Sequence, residues 1–266
     1  MSFSSFCWSL RVFIRRLRNT AVILVNAPFV YRNWPYFFYS RFCKGEGVLE
    51  MRSGLKIRLR NRGADRSAVS EMFILDSYDQ SGEFAIRPQD TVIDVGANIG
   101  AFTIVAARAA SSGRVYAVEP SSANFVLLNE NVRLNQLENV KTLNLALSAS
   151  DGSAVLHFGG ECPSLHFESG VETETVATRS LESLLNAEGL SRVDLLKLDC
   201  EGAEFDILLN ASENALSRVH KIVMEYHNVS LEKNHKVLAE FLRRHGFEVT
   251  VSEGGWNGGI SAIRRS

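Results

Sequence analysis

From Thr91 onward, short β-branched apolar runs alternate with stretches of helical periodicity, and this alternation leaves the chain few folds to adopt. The runs are Thr91–Val95, Arg114–Val118, 140–145, Val193–Leu198 and 221–226. Helical patterns fall between them at 99–110, 123–134, Leu181–Ala187 and Glu204–Leu209, and a further one follows at 231–245. Strands that are apolar along their whole length must be covered on both faces, so the expected architecture is a doubly wound, mostly parallel α/β sheet. Two last runs, 247–251 and 260–264, are joined by a Gly-rich turn and should close the sheet as an antiparallel pair. That ending sets the sheet apart from a dinucleotide-binding fold, which usually continues with parallel units. The segment 149–177 interrupts the pattern and reads as an insertion with irregular strands at 154–158 and 172–177.

Upstream the chain changes character. Residues 1–62 hold 12 Lys and Arg against 2 Asp and Glu, while the remainder holds 17 against 28. Twelve of the 25 aromatic residues lie in the first 42 positions. Phe3, Phe6, Cys7, Leu10, Phe13, Ile14 and Leu17 recur at helical spacing, with Arg11, Arg15 and Arg18 on another face, the pattern of a basic amphipathic helix. The apolar run 21–30 is broken by Asn26 and Pro28 and is too short to cross a bilayer. Residues 1–45 are therefore expected to form a basic, aromatic extension. Either it makes peripheral membrane contact through residues 1–42, or its aromatics dock on the domain that follows or on a second subunit. A domain over 46–266 follows, and the expected location is the cytoplasm, with any membrane association peripheral. A hairpin is expected at 48–50 and 55–59 around Arg52-Ser53-Gly54, then a helix N-capped by Asp65 and running to about residue 76. The four cysteines form no CxxC pair, so neither structural zinc nor a disulfide framework is expected.

The sharpest local signal is Asp94-Val95-Gly96-Ala97-Asn98-Ile99-Gly100, where a strand gives way to a Gly-containing turn and a helix. Gly96 eases the turn, and Gly100 permits close approach of a ligand or the strand. Amides at the helix start would face an anionic ligand group. Asn98 replaces the second glycine of a dinucleotide fingerprint and Ala101 the third. Asp94 can accept bonds from loop amides or from a ligand ammonium. Glu119-Pro120 closes the second strand roughly 20–25 residues after the turn, where an acid can grip a ribose diol.

The fourth and fifth strands carry the second constellation. Lys197-Leu198-Asp199-Cys200-Glu201-Gly202-Ala203-Glu204 places three carboxylates in six residues at a strand end, where ligands of open α/β sheets bind. Glu204 could equally begin the next helix as a dipole-favoured acid. Glu225 and His227 share a strand face, and a neutral His beside a carboxylate suits proton removal from a hydroxyl. Asp199, Glu201, Glu204, Glu225 and His227 could instead hold a divalent metal, although no metal is assigned.

Taken in order, these motifs resemble the FkbM family of methyltransferases, over roughly 48–251. The resemblance implies a class I Rossmann-like fold and S-adenosyl-L-methionine as methyl donor. It also implies O-methylation of a hydroxyl on a sugar, lipid or secondary-metabolite acceptor. Asp94, Gly96, Ala97, Asn98, Gly100, Glu119 and Pro120 would contact the cofactor, with Tyr78 closing over it and Asp199 reaching its sulfonium end. Asp199, Glu201, Glu225 and His227 would line the acceptor side. Cys200 stands where an aliphatic residue is more usual. No nucleic-acid acceptor is expected, since no RNA-binding module is present. The rival readings are an NAD-dependent oxidoreductase and a non-catalytic, membrane-associated adaptor.

Overall fold

A computed structural model describes residues 18–61, 63–75, 82–158, 172–230, 232–252 and 257–265. The chain forms two compact units, Met1–Asp79 and Gln80–Ser266.

In the first unit, helix α1 covers 18–30 and α2 spans Trp34–Tyr39. Strands β1 (Glu46–Glu50) and β2 (Lys56–Arg60) form the expected hairpin, which is followed by α3 (Asp65–Phe73). Asp65 is not the cap of α3. Ala64 holds that position, and Asp65 is instead buried as a bidentate partner of the Arg60 guanidinium (2.7 and 2.8 Å), also accepting the Arg60 N–H. The pairing ties the end of β2 to the start of the helix. Ala27, Tyr31 and Phe37 are buried here, with Tyr31 and Phe37 stacked at 4.8 Å. Asn33 clamps this segment to the hairpin through the Val48 carbonyl and the Glu50 amide.

The second unit is built on strands β3 (Thr91–Val95), β4 (Arg114–Val118), β5 (Val140–Leu143), β9 (Val193–Leu198), β10 (Val219–His227), β11 (Phe247–Ser252) and β12 (Asn257–Arg264). Their order is β11-β12-β10-β9-β3-β4-β5, with β12 antiparallel to both neighbours and the other pairs parallel. Between β3 and β4 lies α4 (Ala101–Ala109), and α5 (Ser122–Leu134) joins β4 to β5. The interruption expected over 149–177 is a separate three-stranded sheet of β6 (Ala146–Leu147), β7 (Gly152–Phe158) and β8 (Glu172–Arg179). Helices α6 (Leu181–Ala187), α7 (Glu204–Leu209), α8 (Glu213–Ser217) and α9 (His235–Arg244) complete the unit. Ser180 and Ser212 cap α6 and α8 through their hydroxyls, and Asn234 starts α9 later than apolar periodicity alone indicates. The core beneath these helices is made by residues such as Ile93, Leu196, Leu198, Phe205 and Ile222, all fully shielded.

Because the chain runs from β3 outward through β4 to β5 on one side and from β9 to β10 on the other, the sheet has its topological switch between β3 and β9. The carboxyl ends of β3, β4, β9 and β10 open on one edge, and the candidate residues collect on it.

Candidate functional site

The loop after β3 is shaped by three residues with left-handed backbones: Gly96 (φ 74°), Asn98 (φ 52°) and Gly100 (φ 89°). A Cβ on Gly96 would fall 1.8 Å from the Asp199 carbonyl, so this glycine lets the loops after β3 and β9 touch. Gly100 is needed for a different contact from either one expected. A Cβ there would press on the Leu128 side chain of α5 at 2.7 Å. Asn98 takes over the conformation that a second glycine would supply, which asparagine tolerates better than most residues. The amides of Gly96 and Ala97 both donate to the Val118 carbonyl at 3.0 Å, pinning the turn to the end of β4.

Glu119 joins the two loops. One carboxylate oxygen accepts the Asn98 amide at 2.8 Å, and the other accepts the Ser121 amide at 3.0 Å and the Asn124 side chain at 3.3 Å. Burial pushes its pKa up to about 7 against the lowering effect of these bonds. Asn144 braces the same corner by donating to the Glu119 and Pro120 carbonyls. Asn98 Oδ1 is buried without a hydrogen-bond partner, an acceptor on the residue whose amide donates to Glu119. This donor and acceptor set fits the nucleoside of S-adenosylmethionine. Asn98 and Glu119 would hold that part.

Asp94 meets neither the loop amides nor an open surface. It is register partner of Lys197 across the β3–β9 ladder, so both side chains leave the sheet on one face. Both are buried; Lys197 Nζ lies 3.0 Å from Asp94 Oδ1, donates to the Gly96 carbonyl at 3.2 Å and sits 3.7 Å from Asp199. Thr103 satisfies the other Asp94 oxygen at 2.6 Å. Lys197 is therefore the hub under the crevice, linking both loops, and it was not among the residues singled out from the sequence.

The β9 and β10 ends converge around His227. Its Nδ1 lies 3.3 Å from Glu204 and its Nε2 3.5 Å from Glu201. Burial alone would disfavour the imidazolium. The hydrogen bond and charge of Glu204, with the charges of Glu201 and Glu225, outweigh it and push the pKa up to about 9. Glu204 is both the first residue of α7 and part of the site. It is wholly buried and accepts the amides of Cys200 and Gly202, each at 2.9 Å. Glu201 has φ 52°, an uncommon conformation for a residue without a short polar side chain. Cys200 packs against the core, and burial followed by the charges of Glu204 and Asp199 drives its pKa well up, so the sulfur stays a thiol. Asp199, Glu225 and His227 each offer a ligand atom within 4.8 Å of the others, a spacing that could take a divalent cation. Tyr78 lies outside the described residues.

A parallel sheet ending in an inserted antiparallel strand, with its crevice at the β3–β9 switch, defines a class I methyltransferase fold. Residues 94–249 match the Methyltransferase FkbM domain. The chain belongs to the FkbM family of methyltransferases, whose methyl donor is S-adenosylmethionine. It is similar to the AMB antimetabolite synthetase AmbE of Pseudomonas aeruginosa, with 27% identity, covering 77% of this chain but only 12% of that protein. The 31-O-demethyl-FK506 methyltransferase FkbM of Streptomyces tacrolimicus is 26% identical over 77% of this chain and 90% of its own length. The hexuronic acid methyltransferase AglP of Haloferax volcanii is 30% identical over 52% of this chain and 56% of its own.

Proposed function

We propose that this methyltransferase transfers the methyl group to a hydroxyl oxygen of a sugar, lipid or secondary-metabolite acceptor, with His227 receiving the hydroxyl proton. The observation that carries the reading is the His227 ring held between Glu204 and Glu201 at the carboxyl ends of β9 and β10. S-adenosylmethionine, when bound, supplies an electrophilic methyl on a sulfonium. The protein supplies position and proton handling. Glu204 fixes the ring orientation from one side, leaving Nε2 on the side of Glu201 to meet an acceptor. The partly exposed carboxylates of Asp199 and Glu201 can accept hydrogen bonds from neighbouring hydroxyls of a polyol, which favours acceptors rich in such groups. Two relatives fit this reading by name, one through its 31-O position and one through hexuronic acid.

The test is incubation of the full chain with labelled S-adenosylmethionine and an extract of the source cell, followed by isolation of the labelled product. A methyl ether in that product supports the reading. Label found on nitrogen or carbon contradicts it.

A further inference from the structure

Among the described residues, six of the eight exposed large apolar side chains lie within one short stretch: Leu24, Val25, Phe29, Trp34, Tyr39 and Phe42. Phe29 and Phe42 are 74% and 72% exposed. Among the described aromatics of this stretch, Tyr31 and Phe37 are buried within the first unit and Tyr36 and Phe38 are half-buried, while Phe29, Trp34, Tyr39 and Phe42 are turned out, as are Leu24 and Val25. The charged residues of this stretch are all of one sign. Arg32, Arg41 and Lys44 are exposed, the Arg41 guanidinium lies over the Phe42 ring at 5.6 Å, and the first acidic residue of the whole chain is Glu46.

We propose that this face of α1, α2 and the turn after them is a docking surface for an anionic phospholipid bilayer. Aromatic and aliphatic side chains would enter the headgroup boundary while the flanking arginines and lysine meet lipid phosphates. No described helix is long and apolar enough to cross a membrane, so the mode is one of lying on the surface. Charge decides between occupants. A symmetric contact between two copies would bring this basic face against itself. A nucleic acid would answer the charge but leave Leu24, Val25 and Phe29 without a role. An anionic bilayer answers both.

The experiment is co-sedimentation of the full chain with vesicles of phosphatidylcholine alone and of phosphatidylcholine with phosphatidylglycerol. Emission of Trp34 is followed in a W8F/W256F background. The expected result is binding to the anionic vesicles that weakens with salt, with a blue shift of Trp34. In the F29S/F42S variant the partition coefficient should fall about tenfold or more, with S-adenosylhomocysteine affinity unchanged. The proposal is overturned if anionic vesicles are not bound or if F29S/F42S binds them as the parent does. It is equally overturned if sedimentation velocity shows the face consumed in a dimer that F29S/F42S dissolves, or if the chain retains nucleic acid and not vesicles. Since methyl transfer is assayed separately with soluble donor, loss of this surface and failure of the enzymatic reading give different results.

Discussion

His227 Nδ1 and the fully buried Glu204 carboxylate lie 3.3 Å apart, so the ring at the end of β10 is held by a group that solvent does not reach. Glu204 also accepts two loop amides, and one carboxylate thereby sets both the loop after β9 and the protonation of the histidine.

The first prediction concerns pH. With a pKa of about 9, His227 carries its proton near neutrality, and proton removal requires the neutral form. Turnover should therefore rise with pH between 7 and 9. H227A should lower turnover about a hundredfold with little change in S-adenosylhomocysteine affinity. A flat profile in the parent enzyme, or equal losses of turnover and affinity in H227A, would remove His227 from this role.

The same shift predicts a stability window. An ordinary histidine titrates near 6.5, and this one is raised to about 9. Its stabilising pairing is fully present below 6.5 and is lost as pH rises through 9. Urea unfolding of the parent should lose stability across that range, and H227Q should lose less. E204Q should move the turnover profile toward lower pH. It should also destabilise the fold by about 1–3 kcal/mol, because an amide can accept only one of the two loop N–H groups.

Lys197 and Asp94 form a buried pair, and K197M would strand the carboxylate. We expect a loss of about 3–5 kcal/mol in urea unfolding, with much of it regained in D94N/K197M. Equal stability of the two variants would show that the pair is not the contact that matters.

The sequence carried the architecture with high fidelity where turn residues bracket β-branched runs. Thr91–Val95, Arg114–Val118 and Val193–Leu198 have the same bounds in both readings. The FkbM resemblance and the donor it implies are likewise supported by the matched domain. What local pattern does not contain is the register between distant strands. Lys197 becomes the partner of Asp94 only because β9 pairs with β3. Glu204 faces His227 because the left-handed backbone at Glu201 and the glycine after it turn the loop back. Alternation along β10 put Glu225 on the face of His227, and the two do lie within 4.8 Å; what it does not contain is that Glu204 and Glu201 stand at 3.3 and 3.5 Å from the ring nitrogens. Asp65 looked like a helix cap because spacing cannot show that Arg60 competes for it.

Glu119 offers a pH-dependent test of the cofactor contact proposed for it. Its carboxyl, raised to about 7 by burial, is ionised only above that value. Unfolded chains ionise it near 4.5, so its contribution to stability falls as pH rises from 4.5 to 7. If the ribose is held by the ionised form, S-adenosylhomocysteine affinity should weaken as pH falls from 8 to 6, and that dependence should vanish in E119Q.

The measurement that bears most directly on the whole account is calorimetric titration of the full chain with S-adenosylhomocysteine at pH 8, alongside E119A and alongside NAD as a competing nucleotide. The account predicts saturable one-site binding, a loss of about a hundredfold in affinity for E119A, and no heat with NAD. Absence of binding by the folded parent, or an affinity indifferent to Glu119, would contradict it.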